Sequence, residues 1–417
     1  MRRTTIRRRN RLFRRRRVGQ VILKVFLWLL VIPAAIGGYF LARHLLDRPV
    51  ARTPEPDPAV TATATLPVTA PTAPLPTAPP ETDPGVEPPE PPAEEKSPLE
   101  GLRGIWLPAE ALRDPDKWDG TLRAAAEGGI TCGVVDLKDA DGKLWYQSAT
   151  DWAAAARGIQ KKALTREELT AGAARLWEEY GIRVIPRLFA FRDNLAPRYL
   201  ETARVGVQGN RSITWFDGDP NGGGRRWLNP YAPDARAYIT GLAAELKEWG
   251  FSLLMLDGVQ FPDRESKAWY GDPEQTALPR DRVLADFCRE ISAVFGDDNW
   301  ILCSTPLAAV GEKTGVYGGN PLTFGAPGAS PWARPADMGS RLRLAGEKVS
   351  STGSHPYEAS LLLFRQLAAR LNLMDQPPLL LPWLDAEAAG AQIAALTECF
   401  GEGCGYILYQ EKGKYAF

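Results

Sequence analysis

The chain is poor in the residues that build metal sites and stapled scaffolds. Of its 417 residues only two are histidine, His44 and His355, and only five are cysteine, with no CxxC pair. That argues against a structural zinc site and against a disulfide-dense fold. Cys132 and Cys303 sit in or beside apolar runs and read as buried small hydrophobes. Cys399 and Cys404, in ECFGEGC, leave open a short-loop disulfide. No GxGxxG follows the first strand-like run, which disfavours an open, doubly wound dinucleotide-binding sheet. Nothing in the chain asks for a cofactor or a metal. Two further absences divide the sequence: residues 1–17 hold no acid, and residues 47–97 hold almost no large apolar side chain.

The acid-free start carries ten Arg, and residues 25–42, VFLWLLVIPAAIGGYFLA, are 18 uncharged and mostly apolar residues bracketed by Lys24 and Arg43. That run is just long enough to span a bilayer. The flanking charge predicts a cytoplasmic N-terminus and an extracytoplasmic remainder. A cleaved signal peptide is the rival reading, disfavoured by the long basic start and the lack of a small-x-small cleavage site. A nucleic-acid arm is a third, but beside a membrane span the Arg run is better explained as an orientation signal that attracts anionic lipid. The formal net charge of zero hides an asymmetry. Residues 1–52 carry 14 Lys+Arg against one acid, and the rest carries 36 against 49. The acidic exported part argues against nucleic acid as its partner. Residues 47–97 contain 15 Pro among Thr and Ala. They read as an extended spacer that cannot bury a core. The expected organisation is a basic tail (1–17), a transmembrane helix (18–46), a Pro/Thr/Ala-rich linker (47–97) and one folded domain (98–417), placing the protein in the cell membrane.

From residue 98 onward short apolar strands alternate with amphipathic helices. Strands are expected at 104–107, 133–137, 182–191, 251–256, 300–304, 379–384 and 405–409. Helices are expected at 118–127, 165–180, 233–249, 280–295, 355–373 and 386–399. Regular alternation predicts a parallel sheet with helical crossovers. In about 320 residues the best fit is a closed (β/α)8 TIM barrel. That count is one strand short, and the missing strand is expected between about 338 and 349.

The most informative stretch is LLMLDGVQFPD, residues 253–263. A buried run ends abruptly in Asp257, Gly258 frees the backbone and Pro262 stops further pairing. A carboxylate at the carboxyl end of a buried parallel strand is where barrel enzymes keep their chemistry. An Asp capping the next helix is the bland alternative. Other polar side chains fall on the expected rim: Asp136 and Lys138 at strand two, Arg187 and Asp193 at strand three, Gln260 after strand four, and Asp385 beyond Trp383 in strand seven. Trp227, in the RRW of the long 193–227 loop, adds aromatic surface with Trp106 and Trp383. Carboxylates, amides and aromatic faces on one rim suit a polysaccharide or cell-wall glycan, and glycoside hydrolysis needs two carboxyl groups flanking the scissile bond.

The segments VVDLKDADGKLWY, GIRVIPRLFAFRDNLA, RRWLNPY and GFSLLMLDGVQFPD, in this order, resemble the bacterial "putative glycosyl hydrolase" barrel domain family, from about residue 101 to the end. HPYE and PWLDAE are similar to later motifs of that family. The resemblance implies a TIM barrel distantly related to amylase-like hydrolases, action on a polysaccharide, and Asp257 as the strand-four nucleophile or stabilising carboxylate. The chain departs from the family's F-D-Y-I-R-F-P at Gly258 and Gln260, and has Thr305 where the family's strand-five acid falls. Two readings follow. One is a membrane-anchored glycoside hydrolase with Asp257 as nucleophile or base and Asp385, Asp136 or Asp193 as its partner. Lys138, Arg187, Asp193, Trp227, Gln260 and Trp383 would then bind substrate. The other is a catalytically degenerate carbohydrate-binding barrel. A scaffold for a protein partner at the long loops is a minor third. Oligomeric state, sugar and linkage are not legible from the sequence.

Overall fold

The computed structural model describes residues 96–413 and 415. The expected basic tail, the membrane helix and nearly all of the linker lie outside the described residues. Among the described residues no helix is long and apolar enough to cross a membrane.

The domain is an α/β fold around a curled parallel sheet. Its strands are β1 (Arg103–Leu107), β2 (Cys132–Lys138), β3 (Arg183–Phe189), β4 (Leu254–Asp257), β5 (Trp300–Ser304), β6 (Gly328–Pro331), β7 (Leu379–Leu380), β8 (Trp383–Asp385) and β9 (Tyr406–Tyr409). They pair in the order β7-β6-β5-β4-β3-β2-β1-β9-β8. The two ends of this path are successive pieces of one stretch, residues 379–385. The Leu381 N–H donates to the Ala329 carbonyl at 2.8 Å, and the Ile407 N–H donates to the Pro382 carbonyl at 2.9 Å. A parallel bridge joins Trp332 to Trp383. Helices α1 (Asp119–Glu127), α2 (Arg166–Tyr180), α3 (Pro233–Glu248), α4 (Arg280–Phe295), α5 (Pro356–Leu371) and α6 (Ala389–Phe400) separate most of the strands.

Local chemistry accounts for the element ends. Thr165 caps α2 in a full capping box with Glu168, satisfying two amides at once, and Gly181 closes the helix in the left-handed region. The strands obey a period of two with both faces covered, so they read as continuous apolar runs. Val135, Leu137, Val184, Leu188, Leu254, Leu256 and Leu302 belong to the large outer core shared with the helices. Val134, Ile185, Met255, Ile301, Cys303, Trp383 and Ile407 form a separate inner cluster. The same alternation puts Asp136, Arg187 and Asp257 on the inner face at the carboxyl ends of β2, β3 and β4. Register agrees: Asp136 pairs with Arg187, and Phe189 pairs with Asp257.

One strand lies elsewhere than expected. Residues 341–350 form an antiparallel hairpin, Arg341–Leu344 with Glu347–Ser350, that pairs only with itself. The additional sheet strand is β6, inside a Gly/Pro-rich stretch. Its sequence, GASP, carries little β propensity. Its first position has little room: a Cβ on Gly328 would lie 2.9 Å from Leu99 Cδ1 and 3.0 Å from Ile301 Cγ1. The loops after β3 and β4 also contain structure. Gly206–Val207, Asn210–Thr214 and Ala268–Trp269 form a three-stranded antiparallel sheet. All five cysteines are free thiols, so Cys399 and Cys404 are not joined.

Candidate active site

Three of the expected residues meet at the strand ends. Arg187 grips Asp136 with both edges of its fork, Nε to Oδ1 at 2.5 Å and Nη2 to Oδ2 at 2.9 Å. Its remaining nitrogen, Nη1, lies 3.5 Å from Asp257 Oδ2. A single guanidinium therefore bridges two carboxyl groups from β2 and β4. The guanidinium is 3 % exposed and packs against the rings of Trp383, Phe189 and Trp332, with centroids 4.8, 5.0 and 5.1 Å away. Burial works against its charge, but Asp136 and Asp257 outweigh that and raise its pKa.

Asp257 itself is buried. Its Oδ1 accepts the Gly258 N–H at 2.6 Å, and its Oδ2 accepts the Trp332 indole N–H at 3.0 Å. Burial pushes its pKa above the ordinary carboxylate value and Asp136 adds to the rise; Arg187 and the two hydrogen bonds only partly offset this. The Asp136 carboxylate is more open, with 20 % of its side chain exposed, and also accepts the Trp106 indole N–H at 3.2 Å. Gly258 has φ +62°, and a Cβ there would lie 3.1 Å from Arg192 Cβ. The departure from the resembling family at this position thus has a backbone reason.

The other expected site residues are placed differently. Lys138 and Asp193 are fully buried and paired at 2.8 Å. Lys138 Nζ also donates to the Phe189 carbonyl at 2.7 Å, and Asp193 Oδ1 accepts the Leu195 and Ala196 N–H groups, each at 2.8 Å. They hold the loop after β3 to the sheet, and both side chains are closed off from solvent. Trp383 is likewise inaccessible, at 0 % exposure. Its indole N–H points at Cys303 Sγ (3.4 Å), and its ring stacks on Trp332 with 4.6 Å between centroids. Asp385 accepts the Glu387 N–H at 3.0 Å and caps the turn after β8; no hydrogen bond or ion pair joins it to Arg187, Asp136 or Asp257. At the end of β5, the backbone N–H of Thr305 donates to the Tyr317 hydroxyl (3.0 Å), which donates to Gln260 Oε1 (3.1 Å).

Gln260 and the buried Trp227 line a cleft of about 470 Å³ over the end of β4 and the loop after β3, together with Arg192, Asp217, Arg225 and Arg264. A larger cavity, about 610 Å³, lies between α2 and α3 beside Glu245 and Trp249, away from the strand ends. Trp332 and Tyr409, both half-buried, complete the aromatic wall around Arg187 and were not expected. Trp332 follows the unrecognised strand β6, and Tyr409 is the last residue of β9. Among the described residues no group of three His, Cys, Asp or Glu is placed to hold a metal ion.

At the ends of β2, β3 and β4, two inner-face carboxyl groups are thus joined through one arginine. Residues 104–296 match the family model described as "Putative glycosyl hydrolase domain". No curated protein matches the chain. Among solved structures, it is similar to a hypothetical protein from Ruminiclostridium thermocellum, at 19% identity over 48% of this chain and 96% of that one, with a TM-score of 0.40. It is similar to the glycoside hydrolase domain of PelA from Pseudomonas aeruginosa, at 15% identity over 68% and 96%, with a TM-score of 0.36. It is also similar to an α-galactosidase from Thermus thermophilus, at 11% identity and a TM-score of 0.45. That match covers 77% of this chain but 60% of the α-galactosidase, so the chain spans less than two thirds of that enzyme.

Proposed function

We propose that the chain is a glycoside hydrolase with a (β/α)8-barrel domain, anchored by residues 18–46 and acting outside the cytoplasm on a cell-envelope or extracellular polysaccharide. The observation that carries the reading is the Asp257–Arg187–Asp136 bridge at the strand ends. Glycoside hydrolysis needs one carboxyl group that stays protonated and another that stays charged, set apart by roughly 5–9.5 Å. Groups at the two edges of one guanidinium fall within that upper limit. Asp257, with its raised pKa, suits the acid. It would pass its proton to the glycosidic oxygen as the C–O bond breaks. Asp136, more open and held by Arg187 and Trp106, would attack the anomeric carbon or take a proton from the attacking water. The resemblance assigns Asp257 to the nucleophile; its burial favours the acid role instead. Barrel closure is supported by the bonding of both sheet ends to residues 379–385, and the anchor by the 18 uncharged residues between Lys24 and Arg43.

A binding-only barrel is the second reading. It is favoured by Thr305 at the end of β5 and by the use of the Asp385 carboxylate as a turn cap. Incubating the full chain with wall and exopolysaccharide preparations and assaying reducing ends separates the two. Hydrolysis predicts release that Asp136→Asn abolishes; binding without release sinks the hydrolase.

A further inference from the structure

The cleft over β4 holds an imbalance of bonding that its formal charge conceals. Three arginines and three aspartates line it. The aspartates are largely used by the protein. Asp217 accepts the Arg225 N–H at 2.7 Å and the Trp227 indole N–H at 2.9 Å, and Asp219 accepts the Asn221 N–H at 2.9 Å. Asp219 and Asp263 are exposed on the rim, and among the described residues Asp263 makes no such bond. Of the arginines, Arg225 is taken by Asp141 at 2.8 Å. Arg192 and Arg264 are different: among the described residues neither has a carboxylate in ion-pair range or a side-chain hydrogen bond, and both line the cleft. Arg192 is half-buried and packs beside Gly258, immediately after Asp257. Arg226 and Arg198 on the same loop also lack a carboxylate partner, and burial, then the charge of Arg198, lowers the Arg226 pKa. A half-buried guanidinium without a protein acceptor keeps its donors available to a ligand.

We propose that this cleft is an anionic subsite, in which Arg192 and Arg264 bind the carboxylate or phosphate of an acidic sugar next to the bond presented to Asp257. Guanidinium forks match both oxyanions in a bidentate way, which a neutral pyranose cannot use. The substrate class is then an acidic glycan, a polyuronide or a phosphorylated wall polymer. The inference deepens the hydrolase reading and rests on it for the position of the scissile bond.

The test titrates the full chain with glucuronate, galacturonate and glucose 6-phosphate, against glucose and galactose. Acidic sugars should bind about ten-fold or more tightly than neutral ones, with the uronates and the phosphate deciding which oxyanion is preferred. Arg192→Gln and Arg264→Gln should each remove about ten-fold of acidic binding and leave neutral binding unchanged. Because the basic N-terminus is common to all variants, the difference between them reports the cleft. Arg264 is exposed, so its variant carries no folding penalty, and Arg192→Lys should recover part of the loss. Equal binding of acidic and neutral sugars, or acidic binding indifferent to both substitutions, overturns the proposal. Reducing-end release is scored separately. Acidic preference without release refutes the hydrolase and keeps the subsite; release without acidic preference does the reverse.

Discussion

Replacing Arg187 with Met tests the bridge most sharply, because the side-chain stem is kept and only the charged fork is lost. In the native protein that fork makes two charge-assisted bonds to Asp136 and one contact at 3.5 Å to Asp257. Removing it leaves two carboxyl groups facing each other, one of them buried. Breaking a buried pair by deleting one partner costs about 3–5 kcal/mol. The cost should depend on pH, and its sign follows from Asp257. Its folded-state pKa lies above the unfolded value of 3.8, so its contribution favours folding fully below that value and is lost as pH rises through the raised folded value. Without Arg187 the folded value rises further, because the guanidinium is the chief group lowering it. Urea unfolding at pH 4 and pH 7 should therefore show a smaller loss at pH 4, where Asp257 can take a proton, than at pH 7. An equal loss at both values, or a loss below about 1 kcal/mol at pH 7, would refute the reasoning, since breaking a buried pair should cost several times that.

Other outcomes follow from the same geometry. Asp257→Asn should lower hydrolysis by about 10²–10⁴, the loss expected of a general acid, when compared at equal folded fraction. Trp332→Phe keeps the stack on Trp383 but removes a hydrogen bond that lowers the Asp257 pKa. The alkaline limb of the pH–rate profile should move to higher pH, and an unmoved limb would exclude Asp257 as the acid. Lys138→Met should destabilise by about 3–5 kcal/mol, because it strands Asp193 with no exposure to water. Gly142→Ala should destabilise for a related reason: φ is +86° and the new Cβ would sit 2.0 Å from Asp193 Oδ1.

Much of the fold was legible because parallel strands are buried on both faces and helices carry caps. The capping box at Thr165 and Glu168 set the start of α2, and α4 begins and ends where the periodicity placed it. β6 was not legible, since Gly-Ala-Ser-Pro looks like a loop and is a strand through its parallel pairing with β5 and β7. Missing β6 also hid Trp332, whose indole N–H touches Asp257. At the site, the strand-end rule brought out Asp136, Arg187 and Asp257 through their shared parity. It gave no way to tell an inward charge that faces the opening from one buried beneath the loop. Lys138 and Asp193 pass the same pattern test and are sealed from water by the loop after β3. Trp383 has the right parity too, but the stacked Trp332 covers it.

The most direct measurement is the release of reducing ends from wall or exopolysaccharide by the full chain beside its Asp257→Asn variant, at equal concentration and folded fraction. Release by the parent and its loss in the variant is the expected result. Equal release by both, or binding of the glycan with no release by either, would contradict a catalytic carboxyl pair at the ends of β2 and β4.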